Sequence, residues 1–210
     1  DGTLVWESGI HYLYDEGAMS STGTLEVAYP SGSTAPLPQL VEFGTDADGT
    51  RLFTVSGDID VQSGSLLIQA DSRYESATLT VAAGATLHLD QALQTFVGTT
   101  SGTATGDLLL STDASAEASG AWNIGGTGLQ WRRGFVVGGQ TLTNAGRVVL
   151  NGSPGALARG VRFAGSAFAN DGTLVWESGI HYLYDEGAAS NAGTWIVDVE
   201  PGESTQFNAF

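Results

Sequence analysis

The chain of 210 residues carries 23 acidic and 7 basic side chains, a net charge of −16, 30 glycines and no cysteine. Without thiols it can form neither disulfides nor thiolate-bound zinc or iron–sulfur sites, and its charge argues against nucleic acid or an anionic membrane as a partner. The 41% hydrophobic content supports a packed core, while no apolar run approaches the roughly 20 residues needed to span a bilayer.

The first predicted element is a strand in "GTLVWES" from Gly2, with Leu4 and Trp6 on one side. Successive strand side chains point to opposite faces, so alternation of apolar and polar residues marks a half-buried strand. "HYLY" at His11 to Tyr14 reads as a short second strand. "GTLEVAY" from Gly23 repeats the first phrase, with Leu25 and Val27 inward and Glu26 outward. The stretch from Pro30 to Gly64 breaks the rhythm and is read as a coil with an excursion. The phrase then returns as "GSLLIQA" from Gly64 (Leu66 and Ile68 inward, Gln69 outward) and "GATLHLD" from Gly84 (Leu87 and Leu89 inward, His88 outward). "GDLLLST" from Gly106 contributes Leu108 and Leu110, and "GLQWRRG" from Gly128 contributes Leu129 and Trp131, with Gln130 outward. "GRVVLNG" from Gly146 contributes Val148 and Leu150. A second "GTLVWES" from Gly172 brings Leu174 and Trp176 inward and Glu177 outward, and "GTWIVDV" from Gly193 brings Trp195 and Val197 inward and Asp198 outward. Between these lie further short strands in "ATLTVAAG" (Ala77 to Gly84), "FVVGGQTLTNAG" (Phe135 to Gly146) and "VRFAGSAFANDG" (Val161 to Gly172).

The phrase restarts about every twenty residues, and no segment shows a helical period. Two or three strands per period, joined by glycine-bearing turns, predict an all-β chain folded as a right-handed parallel β-solenoid. An antiparallel sandwich also has many short alternating strands, but it has no reason to place the same turn before the same strand. A longer period is superimposed: "DGTLVWESGIHYLYDEGA" occurs at Asp1 to Ala18 and, letter for letter, at Asp171 to Ala188. Residues 1–170 therefore read as one full repeat unit of about eight coils, and 171–210 as the start of the next tandem unit.

Asn144–Gly146, Asn170–Gly172 and Asn191–Gly193 share the turn Asn-x-Gly ahead of a strand. Glycine there is expected to supply a positive φ, and asparagine to bond nearby backbone. If the three asparagines lie on adjacent coils, they could instead form an amide ladder.

Phrases such as "LTVAAGATLHLD", "IDVQSGSLLIQA" and "FANDGTLVWESG" resemble those of bacterial extracellular β-solenoid proteins, including autotransporter passengers and filamentous-haemagglutinin-like adhesins. The resemblance implies a surface-exposed adhesin, stalk or spacer and brings no catalytic motif with it. Its implied partners are neighbouring repeats of the same chain, with self-association or a surface polysaccharide beyond them.

Other parallel β-helices are polysaccharide lyases or hydrolases, which makes an enzyme the first alternative; a self-assembling sheath or filament subunit is the second. Asp58 and Asp60 point outward from one strand, where two carboxylates could share acid–base work or hold a cation; in so acidic a chain a solvated strand face explains them as well. "GTDADGT" resembles half of a calcium loop, with Asp46 and Asp48 as its first ligands, but the third acid and the distal glutamate are missing. We read it as a polar turn, and we expect no catalytic residue, cofactor or metal. Trp6, Tyr12, Tyr14 and their copies Trp176, Tyr182 and Tyr184 could stack on sugar rings or pack inside the solenoid.

Overall fold

The computed structural model describes residues 2–14, 18–29, 39–43, 53–151, 161–184, 187–199 and 205–209. Every regular element among them is a strand, every strand pairing is parallel, and together they stack into a β-solenoid.

The coils have three strand-bearing faces. The first coil contains β1 (Thr3–Trp6), β2 (Ile10–Tyr14) and β3 (Met19–Ser21), and the second β4 (Thr24–Ala28), β5 (Gln39–Phe43) and β6 (Phe53–Val55). Next come β7 (Asp58–Ser63), β8 (Ser65–Gln69) and β9 (Ser72–Glu75), then β10 (Thr78–Val81) and β11 (Thr86–Asp90). Two long strands, β12 (Gln94–Ala104) and β14 (Ala114–Gly126), each bend from the third face onto the first, with β13 (Asp107–Ser111) between them. The chain continues through β15 (Leu129–Trp131), β16 (Gly134–Val137), β17 (Thr141–Asn144), β18 (Arg147–Asn151), β19 (Val161–Ala164) and β20 (Ala167–Asn170). It ends with β21 (Thr173–Tyr184), which spans the second and third faces, followed by β22 (Ala188–Asn191), β23 (Thr194–Val197) and β24 (Thr205–Ala209).

The inward stripe read from the alternation is a physical column on the second face. Leu66, Leu87, Leu108, Leu129, Val148, Leu174 and Trp195 are successive rung partners, as are Ile68, Leu89, Leu110, Trp131, Leu150, Trp176 and Val197. All are buried except the last of each, Trp195 (38% exposed) and Val197 (61%). These two lie on the last described coil, beyond which no described residue is stacked, so their expected burial is corrected by position in the rod and not by strand phase. Leu4, 54% exposed, differs from expectation for the same reason at the other end.

A second correction concerns the phrases at Gly2 and Gly23, which stand on the first face. Leu4 pairs with Leu25, Leu25 with Ile59 and Ile59 with Leu79; Trp6, Val27, Val61 and Val81 follow in parallel. Between β4 and β8 the chain passes β5, β6 and β7, which is more than one full coil, so the excursion shifts the phrase by one face. The two copies of the identical segment consequently occupy different faces, about seven coils and one face apart, instead of eight whole coils.

Corners are tight. Gly64, with φ of 72°, is the only residue between β7 and β8, a left-handed conformation that costs other residues steric strain. The Asn-x-Gly glycines serve a different purpose from the one expected: Gly146, Gly172 and Gly193 do not have positive φ. They stack directly on one another, and a Cβ on Gly172 or Gly193 would collide with the carbonyl oxygen of Gly146 or Gly172 in the preceding coil. Close approach of backbone to backbone, not turn conformation, requires glycine there.

Candidate functional site

The best-defined polar construction is inside the solenoid. Asn144, Asn170 and Asn191 are rung partners on the first face. Asn144 Nδ2 donates to Asn170 Oδ1 at 2.6 Å and to the Thr173 carbonyl at 3.0 Å; Asn170 Nδ2 donates to Asn191 Oδ1 at 2.6 Å and to the Thr194 carbonyl at 3.0 Å. The backbone joins in, because the amides of Asp171 and Gly172 both donate to the Asn144 carbonyl, and those of Ala192 and Gly193 to the Asn170 carbonyl. Asn144 and Asn170 are buried; without these bonds each amide would carry a desolvation cost of about 1–3 kcal/mol. Of the two roles read for the asparagines, the ladder is present, and Asn144 also bonds its own turn through the Gly146 amide.

The other internal feature is a column of aromatic rings that the phrase pattern does not reveal. Tyr74 stacks on Phe96 (5.1 Å between centroids), Phe96 meets Trp122 edge-on (5.2 Å), and Trp122 meets Trp131 edge-on (5.3 Å), with Phe163 and Phe168 beyond. A small polar island closes one end: the Tyr74 hydroxyl donates to Gln94 Oε1 at 3.0 Å, and Gln94 Nε2 donates to the Ala92 and Ala70 carbonyls. Burial pushes the Tyr74 phenol well above its ordinary value, so it stays a neutral donor. Trp6 and Trp176 are likewise buried; the side chains of Tyr12, Tyr14, Tyr182 and Tyr184 lie outside the described residues.

Asp58 and Asp60 stand two residues apart on β7, with Glu26 of β4 as the rung partner of Asp60, but each aspartate bonds a neutral side chain. Asp58 Oδ2 accepts from Thr24 Oγ1 at 3.4 Å and Asp60 Oδ2 from Gln62 Nε2 at 3.1 Å, while Asp90, on β11, belongs to another face. Among the described residues no three histidine, aspartate or glutamate side chains are placed to hold a metal. Asp46 and Asp48 lie outside the described residues. Corner acids have structural employment: Asp71 Oδ1 accepts the Leu93 amide at 2.7 Å and Asp113 Oδ1 the Phe135 amide at 2.9 Å, each from the following coil.

One outer cluster combines both charges. His88 Nε2 lies 2.9 Å from Ser111 Oγ; Arg133 donates from Nη2 to Asp90 Oδ1 at 3.0 Å and from Nε to the Ser111 carbonyl at 2.7 Å. Burial lowers the His88 pKa; Asp90 opposes that shift, whereas Arg132 and Arg133 add to it. The imidazole is therefore held neutral, and Arg133 ties three coils together. His11 packs edge-on against Trp6 at 4.5 Å, on the first coil and far from His88.

The geometry describes a rod in which the asparagine ladder, the corner aspartates and Arg133 join one coil to the next. No known protein family, curated protein or solved structure matches the chain.

Proposed function

We propose that the chain is a structural spacer, a tandem-repeat segment of an extracellular fibre on a bacterial surface. The observation carrying this reading is the built-in comparison between the two copies of the repeated segment. Leu4 and Val5 are 54% and 49% exposed on the first coil, whereas the identical Leu174 and Val175, with coils on both sides, are 3% and 2% exposed. The sequence of the repeat is thus suited to having another coil stacked before it, which is what a tandem array supplies. In such arrays each coil contacts only its neighbours, so units add length without redesign of the rest. The neighbouring units are its principal partners, and the resemblance of its phrases to surface β-solenoids supports the location.

Proteins of one, two and four units should differ in maximum dimension by about 35 Å per added unit, from about seven coils and one face at ~4.8 Å per coil. Small-angle scattering measures this increment. A maximum dimension that barely grows with unit number would show that the units fold back as separate globules and would end the spacer reading.

A further inference from the structure

We infer that the first coil is the docking edge for another unit of the same sequence, and that the junction turns each unit by one face of the solenoid. This rests on the tandem reading above. The partner is identified by the second copy, which displays what covers this segment. There, Arg147–Leu150 of β18 pairs with Thr173–Trp176, β19 pairs with the C-terminal part of β21, and β20 pairs with β22. The corresponding edge on the first coil is β1, β2 and β3, and a shallow cavity lined by Leu4, Val5, Trp6, His11 and Met19 lies open at that end.

The rotation follows from the pairing. In the second copy Thr173–Trp176 stands on the second face, beneath β18 and above β23. In the first copy the same four residues stand on the first face, above β4, and β4 is followed by β7. A preceding unit must therefore seat its β18 equivalent on the first face, its β19 equivalent on the second and its β20 equivalent on the third. All three strands find a partner in this arrangement, and the short Asn-Asp-Gly link from β20 into the next strand is preserved. Any surface group, the His88–Arg133 cluster included, then appears on successive faces in successive units and returns to its starting face after three. An array built this way presents its outer features around the rod instead of along one side.

The register of β4 decides the matter, and the cysteine-free chain provides a clean background. Glu26 pairs with Asp60 across β4 and β7. Without the face shift, Glu26 would pair with Leu67 on β8. Glu26→Cys with Asp60→Cys should form a disulfide on mild oxidation, and Glu26→Cys with Leu67→Cys should not. The pair Leu67→Cys with His88→Cys, adjacent outward positions in β8 and β11, calibrates how readily neighbouring rungs crosslink. Crosslinking of Glu26 to position 67, or no crosslink to position 60 while the calibrating pair reacts, would overturn the rotation. That result would leave the growth of length with unit number untouched, so the two readings fail separately.

Discussion

Leu89→Asp should lower the free energy of unfolding by about 4 kcal/mol, a large share of the 5–15 kcal/mol typical of a folded domain. Leu89 is fully buried between Ile68 and Leu110 on the second-face column. A carboxylate there would have apolar neighbours above and below and no donor, and an unpaired buried charge is among the costliest substitutions. The adjacent His88 points outward, where its contact is Ser111 Oγ; His88→Asn should cost only about 1 kcal/mol, the worth of one hydrogen bond. Urea denaturation of the two variants checks the contrast, and similar midpoints would mean that the strand phase is wrong.

The asparagine ladder carries the second large effect. Asn170→Ala removes the middle rung and should cost about 2 kcal/mol, since Asn191 Oδ1 loses its donor and Asn144 Nδ2 keeps only the Thr173 carbonyl as acceptor. Asn170→Asp should cost more, about 4 kcal/mol near neutral pH. Its carboxylate could still accept from Asn144 Nδ2, but it would face Asn191 Oδ1 and the Thr194 carbonyl, both acceptors, with no proton to offer. Burial and these acceptors raise the carboxyl pKa in the folded state above its unfolded value. Stability of the variant should therefore recover as the pH falls and the acid becomes a donor, and be lost as the pH rises through the folded value. Unfolding measured across that range, with Asn170→Ala as the pH-independent reference at this position, reads the effect directly. An Asp variant with the same pH profile as the Ala variant would argue against a bonded ladder.

Much of the architecture was legible in the sequence because a solenoid repeats its instructions. Leu66 to Trp195 and Ile68 to Val197 align in the structure as they do in the text, since period-two alternation fixes which side chains enter the core. What the text does not fix is the face on which a strand lands. "GTLEV" and "GSLLI" satisfy the same pattern, and only the length of chain between Glu26 and Leu67 determines that an additional strand, β7, comes between them. The glycines of the Asn-x-Gly turns show a different limit, because close approach to the coil before is a contact between residues more than twenty positions apart. The aromatic column was hidden for the same reason: Tyr74, Phe96 and Trp122 lie between the repeated phrases, in different coils, and meet only after the coils stack. The polar clusters were hardest to foresee, since Arg133 reaches Asp90 across an intervening coil.

The uneven width of the coil boundaries has a mechanical consequence. Backbone hydrogen bonds between coils run along the rod, so tension between its ends passes through every boundary in series, and the thinnest one yields first. Eight rungs join the coil of β14–β16 to that of β17–β19, two from β14 to β17 and three each from β15 to β18 and β16 to β19. Twelve join the next two coils, four, five and three on the successive faces, with the first link of the amide ladder beside them. A stretched rod should therefore part between Trp122 and Asn144, leaving the asparagine-bonded coils intact as a block. Force spectroscopy on a chain held at its two ends would register this as a first rupture whose released length changes when Thr143 is crosslinked to Ala121. Placing the weak boundary next to one that carries the amide ladder gives the rod a defined point of extension, a fuse beside a clamp.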